Sequence, residues 1–475
     1  MRVLVGPAHW GGRTHQLQLT AVVRALADEG HRVTYATHAG EPSAHYSGLP
    51  DAVEVVVAAN VAWPAELDLE LALRVARGEP DWQVRVDLVC AAADAAQHFF
   101  DDLGVRQLLS RAADFDLALV DAGSLAGHLL ADALHPVRQV HFLCYPYRPP
   151  SDRKAHLLEA TAVQRRVATR LATLRASIGA PPKPQCAHSH VLTLVGHSLA
   201  LHQDELPPSM QCVGSVLPSP RAESLSPELG AWCDAAGQSA AGGFVVVSLG
   251  SWGDAACSRL GCDGAMAEAL QELGMHAIWK TRAHAAPRDD AARPCPVDEG
   301  RAHARTPLAI GAHVRMTPWL PQRALVSHPH CRLLVTHGGA NSIGEACACA
   351  VPIVALPIGW DQPANAAIVA DLELGRALPL ASCTADALLE AMRAVLDDEN
   401  GPRRAAQVAD AMKAADSGAK GAVEWLERAA HVAWPTRDAG AEDERCKPER
   451  APPARDERPA TPLDEEAEGW GDALD

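Results

Sequence analysis

Along this chain, apolar residues collect into short unbroken runs, and each run empties through a glycine or polar turn into a stretch whose apolar positions recur at helical spacing. The opening run, residues 1–5, leads through Gly6, Gly11 and Gly12 into a helix-period stretch carrying Leu17, Val22, Val23 and Leu26. Gly30 and His31 end that helix, and a second strand starts over residues 32–37. The spacing predicts a strand–helix–strand unit beginning at residue 1. The same pattern returns at 116–120, followed by the loop 121–124 and a helix over 125–134, and again at 190–195, 244–247, 332–336 and 351–356. Unbroken apolar strands suit a parallel sheet covered by helices on both faces. The predicted class is therefore α/β.

At 475 residues the chain exceeds one ordinary domain, and the repeated alternation favours two α/β units. Pro207, Pro208, Pro218, Pro220 and Pro227 punctuate the stretch before the strand at 244. This places an interdomain linker at 218–240, between a first domain over 1–217 and a second over 241–418. A terminal helix is expected over 419–434, and the polar, Ala-rich stretch 282–305 reads as a surface insertion. From 435 to 475 large apolar groups almost vanish, and 13 acidic against 6 basic residues supply −7 of the net charge of −17. Such a segment cannot bury a core and is expected to be a disordered acidic tail. The acidic balance suggests no nucleic-acid partner. Met1 begins directly on a strand and no apolar run approaches about eighteen residues, so a cytoplasmic placement without stable membrane insertion is expected. The 13 cysteines contain no CxxC pair, which fits a reducing compartment and offers no metal-ligand pattern. Among 22 histidines, isolated ones such as His188 and His190 read as surface or core residues.

The richest chemistry lies between Trp319 and Gln362. The strand 332–336 ends in His337-Gly338-Gly339-Ala340-Asn341-Ser342 and an Ala-rich helix follows. Paired glycines let the backbone turn tightly, and the first amides of a helix, lacking internal partners, carry the positive end of its dipole. That combination can bind a diphosphate without a metal. Asn341, Ser342 and Glu345 share one helix face, which puts a carboxylate about one turn from the phosphates and suits a ribose diol. Trp319, in a loop restricted by Pro321 and beside Gln322, offers a flat face to a base. Asp361 and Gln362, after the strand 351–356, present donors and acceptors suited to a hexose. Taken singly, a glycine turn or a loop tryptophan is ordinary packing chemistry.

Taken together, Trp319, Gln322, His328, His337, Gly339, Asn341, Ser342, Glu345, Pro352, Asp361 and Gln362 resemble the donor-binding box of family 1 UDP-glycosyltransferases over 44 residues, the span of the plant box. The resemblance implies the GT-B fold, two facing Rossmann-like domains with a donor/acceptor cleft between them. It further implies that Trp319 stacks on uracil, that Glu345 binds the ribose, that His337, Asn341 and Ser342 hold the diphosphate, and that Asp361 and Gln362 grip the sugar. Ser251, in the Ser248-Leu249-Gly250-Ser251 turn, resembles a further donor loop near the phosphates, and the terminal helix is expected to brace the first domain. Ala340 stands where plant members usually carry Trp, and Ala350 where the family usually carries Gly.

The resemblance extends to a catalytic pair. His15 precedes His31 by sixteen residues, the family's spacing from its general base to the histidine of a Gly-His pair, although Thr14 replaces the usual glycine. Asp121, at the carboxyl end of the strand 116–120, is the matching orienting carboxylate; an aspartate at such a junction also suits a helix N-cap. The implied reaction has His15 take a proton from an acceptor hydroxyl, Asp121 stabilise the imidazolium, and UDP leave from the opposite face, giving a β-glycoside by inversion. No cofactor or metal is required, the UDP-sugar being a co-substrate. Asp114 and Asp116 have the DxD form used by some metal-dependent glycosyltransferases, but they precede a strand and read as solvated turn chemistry. Glucose is favoured because the box ends in Gln362, and the expected acceptor is a small lipophilic molecule walled by residues 63–85 and 141–150, with Phe142, Tyr145 and Tyr147 available to line it. A non-catalytic UDP-sugar-binding protein and a GT-B sugar-nucleotide epimerase are the alternatives; neither needs both His15 and Asp121.

Overall fold

In a computed structural model, two parallel sheets organise the described residues, which are 1–8, 13–39, 49–59, 61, 67–77, 79, 81–134, 137–143, 166–181, 193–195, 210–216, 224–281, 310–415 and 417–431. The first sheet comprises β1 (Arg2–Val5), β2 (Arg32–His38), β3 (Val53–Ala58), β4 (Leu117–Asp121), β5 (Arg138–Leu143), β6 (Thr193–Val195) and β7 (Met210–Cys212), in the order β3-β2-β1-β4-β5-β6-β7. Helices α1 (Arg13–Asp28), α2 (Leu67–Ala76), α3 (Asp81–Asp101), α4 (Leu103–Leu109), α5 (Leu125–Ala133) and α6 (residues 166–177) accompany it. The second sheet comprises β8 (Phe244–Ser248), β9 (His276–Lys280), β10 (Val314–Thr317), β11 (Cys331–Thr336), β12 (Ile353–Ala355) and β13 (Gly375–Ala377), in the order β10-β9-β8-β11-β12-β13. Its helices are α7 (Pro227–Gln238), α8 (Gly250–Arg259), α9 (Cys262–Leu273), α10 (Gln322–Val326), α11 (Ala340–Ala348), α12 (Gln362–Asp371), α13 (Ala385–Leu396) and α14 (Gly401–Ala415), and α15 (Gly418–His431) follows.

The central strands owe their place to composition. Val3, Leu4 and Val5 of β1 and Phe244 to Val247 of β8 are buried on both faces, with Val3 paired to Val33 and Leu117, and Val247 paired to Trp279 and Val335. In each sheet the order reverses beside the first strand of the unit: β1 lies between β2 and β4, and β8 between β9 and β11. Such a switch point opens a crevice at the carboxyl ends of the strands, where α/β proteins bind ligands. The loops after β1, β4, β8 and β11 carry the residues that matter below.

The two sheets share contacts. Leu73 of α2 is buried in the apolar cluster that also holds Val247, Leu249 and Met266 of the second sheet, and Val75 of α2 faces Gly359. At the other end, the amides of Ser417 and Gly418 both donate to the Val213 carbonyl, Glu427 meets His31 at 2.9 Å, and the Arg138 guanidinium donates to the Ala430 carbonyl, so α15 lies against the first sheet.

Several local expectations change. The span 218–240 holds α7, because Pro227 occupies the first helical turn, where a missing N–H costs nothing, and Ser226 caps the amide of Leu229. Cys233 and Ala236 of that helix are buried against the second sheet. Residues 141–143 belong to β5, and Phe142 is wholly buried, a core residue and not a pocket lining. Strand β12 is shorter than 351–356, because Val351 belongs to the turn that closes α11. Tyr145, Tyr147, His188, His190, residues 282–305 and the tail 435–475 lie outside the described residues.

Candidate active site

His15 lies in the first turn of α1, just past the carboxyl end of β1, and Asp121 closes the neighbouring strand β4. Nδ1 of the imidazole is 2.8 Å from Oδ2 and 2.9 Å from Oδ1 of Asp121. A carboxylate can only accept, so the proton sits on Nδ1 and Nε2 is the ring's acceptor nitrogen. Asp121 is 1% exposed and also accepts from the amide of Gly123 at 3.0 Å, which fixes its plane. The N-cap of α5, the competing use for this aspartate, is filled by Ser124, whose hydroxyl accepts from Gly127. Asp121 instead orients an imidazole that keeps part of its surface open. The DxD pair has other employment at the opposite end of β4: Asp116 pairs with Arg2 at 2.7 Å, and Asp114 with Arg111 at 3.0 Å.

The turn after β11 presents backbone amides. Gly338 has φ +83°, where a side chain would be strained and would also press on the Gln362 carbonyl. Gly339 then serves as N-cap of α11 without offering a side-chain acceptor, so no side-chain cap competes with a ligand at the first turn. Helix α8, with Ser251 in its first turn, likewise starts without a side-chain cap, and Gly250 at φ +75° leaves room for the His337 ring, which an added Cβ would approach to 2.9 Å. The side chain of Ser251 lies outside the described residues. Burial, reinforced by the nearby charge of Lys280, pushes the His337 imidazole down to about 4, so it is neutral at physiological pH. Away from active groups, Ser226 caps α7 and Thr384 caps α13, which is the usual arrangement.

Two more groups flank this turn. Trp319 is 49% exposed, one of only two large hydrophobics so exposed among the described residues, while Gln322 at the start of α10 donates through Nε2 to Ser342 Oγ at 3.0 Å and to Glu345 Oε2 at 2.8 Å. Trp319, Gln322, Ser342 and Glu345 thus belong to one corner. On the other side, Asp361 is the N-cap of α12 and Gln362 its first residue. Gln362 is buried and its Oε1 accepts from the amides of Ile358 and Gly359 at 2.9 and 3.4 Å, which leaves its NH2 as the free end. Between Gly359 and Asp361, Trp360 takes φ +63°, a costly conformation for a bulky residue that sets the direction in which the Asp361–Gln362 pair leaves the loop. Burial pushes the Asp361 carboxyl up, partly offset by the Asn365 amide and by nearby His15.

The base and the donor turn face each other. Gln18, one turn beyond His15 on α1, donates from Nε2 to Oδ1 of Asn341 at 2.8 Å, and His15 is near enough to Asp361 to act on its ionisation. Asn365 closes the far side, donating to the Gly338 carbonyl at 2.9 Å and to Asp361 Oδ2 at 2.7 Å. Sequence reasoning missed Gln18, Asn365 and Lys280. The first two lie three residues after His15 and four after Asp361, the same-face positions a helix would flag. His328 and His31 serve the scaffold: His328 packs beside the Phe244 ring, and His31 lies between the chain's amino terminus and Glu427. Among the described residues no cluster of three or more His, Cys, Asp or Glu could hold a metal, and no helix is long and apolar enough to cross a membrane.

With that geometry in view, the sequence match is informative: residues 190–413 match the family described as UDP-glucoronosyl and UDP-glucosyl transferase. Over this segment the chain is similar to the UDP-glycosyltransferases. Human UDP-glucuronosyltransferase 3A2 is 33% identical over 157 residues, 33% of this chain and 26% of that protein. Xenopus laevis UDP-glucuronosyltransferase 3A1 is 31% identical over 200 residues, 41% of this chain and 32% of that protein. The aligned stretch therefore spans between a quarter and a third of the length of these UDP-glycosyltransferase relatives. Similar solved structures cover more of the chain. The glycotransferase of kitacinnamycin has a TM-score of 0.64 at 20% identity, covering 90% of this chain and 98% of that one. The spinosyn rhamnosyltransferase SpnG complexed with thymidine diphosphate has a TM-score of 0.61 at 20% identity, covering 90% and 100%. At that identity the likeness establishes the fold, which is GT-B.

Proposed function

We propose that this chain is an inverting, metal-independent glycosyltransferase that moves a hexose, with glucose favoured, from a UDP-sugar to a hydroxyl of a small lipophilic acceptor. The observation that carries the reading is the His15–Asp121 pair facing the Asn341 turn: the helix that bears the base also touches the helix that would receive the diphosphate. In this reading Nε2 of His15 accepts the acceptor's hydroxyl proton as its oxygen attacks the anomeric carbon. The Asp121 carboxylate, already bonded to Nδ1–H, stabilises the imidazolium that results. The bond from the anomeric carbon to the diphosphate oxygen breaks on the opposite face. The charge left on UDP meets the uncapped amides at the start of α11 and the neutral His337 beside Lys280. One displacement inverts the anomeric centre, so an α-linked donor gives a β-glycoside.

The nucleotide is assigned from the matched segment, whose relatives are UDP-glucuronosyltransferases, and glucuronate is the second candidate sugar. Thymidine diphosphate, carried by one of the similar structures, is the competing nucleotide. Melting curves with UDP, dTDP, UDP-glucose, UDP-glucuronate and UDP-galactose test the donor, since a ligand at about a hundred times its Kd adds about 2.7 kcal/mol to the folded state. The expected result is a rise with UDP and its sugars that exceeds the rise with dTDP. UDP release is then followed with phenols such as 4-methylumbelliferone. No shift with any nucleotide, or full turnover by His15→Ala, defeats the reading.

A further inference from the structure

The contact between Gln18 and Asn341 is made by a side chain that is wholly buried, sits one helical turn from His15, and reaches a residue 323 positions away in the other half of the chain. Burying an amide is costly unless its polar groups are matched, so such a contact is specific in a way an apolar one is not. Its polarity carries the information. The Gln18 NH2 donates to Oδ1 of Asn341 at 2.8 Å. That fixes the Asn341 amide with its oxygen toward α1 and leaves its NH2 as the end that can donate to a phosphate oxygen at the uncapped start of α11. Were the amide reversed, a carbonyl oxygen would face the diphosphate and repel it.

We propose that Gln18 is a positioning residue that orients Asn341 as a diphosphate donor and couples the helix of the base to the helix that grips the leaving group. The inference rests on the function proposed above. It extends that function by making donor affinity depend on a residue in the acceptor half of the chain. Because Gln18 and His15 share α1, any shift of α1 that misplaces the base also releases Asn341.

The test uses the full chain and calorimetric titration with UDP alone, alongside turnover with a saturating donor. Gln18→Leu is expected to weaken UDP binding about 3- to 10-fold, the worth of one net hydrogen bond, and to raise the donor KM with a smaller effect on kcat. Gln18→Glu should weaken it further, because a carboxylate can only accept and so turns the Asn341 oxygen toward the phosphates. In an Asn341→Ala background, Gln18→Leu should have no additional effect on UDP. Equal weakening in both backgrounds would mean a merely structural role and would overturn the proposal, as would wild-type affinity in Gln18→Leu. If the leucine variant does not fold, Gln18→Met carries the same expectations. Wild-type protein that binds neither UDP nor dTDP overturns the proposed function and this inference together; tight wild-type binding with unaffected Gln18 variants overturns this inference alone.

Discussion

Replacing Asp121 by asparagine isolates the part of the chemistry that depends on a charge opposite the imidazole. The side chain is 1% exposed, and its two oxygens serve one proton from His15 Nδ1 and one from the Gly123 amide. Asparagine keeps the shape but exchanges one oxygen for an NH2. Turned one way the amide denies Gly123 its acceptor, turned the other it sets an NH2 against Nδ1–H, and in both the negative charge that would stabilise an imidazolium is gone. A hydrogen bond to a charged group is worth about 1.5–3 kcal/mol, and each 1.4 kcal/mol is about tenfold in rate, so kcat should fall about 10- to 150-fold. The assay is UDP release at saturating donor and 4-methylumbelliferone, using whichever UDP-sugar gives the largest thermal shift, with UDP affinity measured in parallel. UDP affinity should hold near the wild-type value, because Asp121 lies at the end of β4, in the half of the chain opposite the donor turn. A kcat within about threefold of wild type, or a parallel collapse of UDP binding, would refute the assignment of Asp121 to the base.

Other perturbations test separate parts of the argument. Trp319→Ala should weaken UDP binding by about 1–3 kcal/mol, the worth of a base–aromatic stack, and unchanged affinity by calorimetry would remove the indole from the site. His337 is held neutral at about 4 in the folded chain, against an ordinary value of 6.5, so between those pH values the unfolded chain takes up a proton that the folded one does not. Stability should therefore be full above pH 6.5 and fall as pH drops toward 4, by about 1–2 kcal/mol between pH 7 and 5 once the ring's partial exposure is allowed for. Urea midpoints for wild type and His337→Asn should show a smaller pH slope in the variant, and equal slopes would refute the burial argument. Ala350→Gly should raise the unfolding free energy by about 0.5–1 kcal/mol, the left-handed penalty of alanine less the extra freedom of glycine in the unfolded chain; a destabilised variant in urea would contradict it.

What the sequence disclosed, and what it withheld, follows from the range of the interactions involved. The strand, glycine turn and helix at 332–348 were legible because each property is local: an apolar run, two glycines, an Ala-rich helix. Asp121 was ambiguous for the same reason, since a carboxylate at a strand–helix junction satisfies two local rules, and only Ser124 taking the cap resolves them. Helix α7 was hidden because proline was read as punctuation, although at the first helical turn it is compatible with a helix. Gln18 and Asn365 were out of reach for a different reason. Helical spacing puts them on the faces of His15 and Asp361, but their partners, Asn341 and the Gly338 carbonyl, are 323 and 27 residues away, and no local pattern names a partner so distant.

Ala350 shows where a departure seen in sequence acquires a physical meaning only from the backbone. At the end of α11 the amide of Val351 returns to the Ala346 carbonyl and that of Ala350 to Cys347, closing the helix with Ala350 at φ +56°. The end of α1 is built in the same way: His31 returns to Leu26 and Gly30 to Ala27, with Gly30 at φ +81°. The two closures share their hydrogen bonds, yet one uses glycine and the other alanine, so the second holds a residue whose Cβ crowds its own backbone. Position 350 matters because it ends the helix whose first turn holds Asn341 and Ser342 and starts the chain toward β12 and the Asp361 loop. The bonds on both sides of the turn hold Ala350 in that geometry, with Val351 buried beside it.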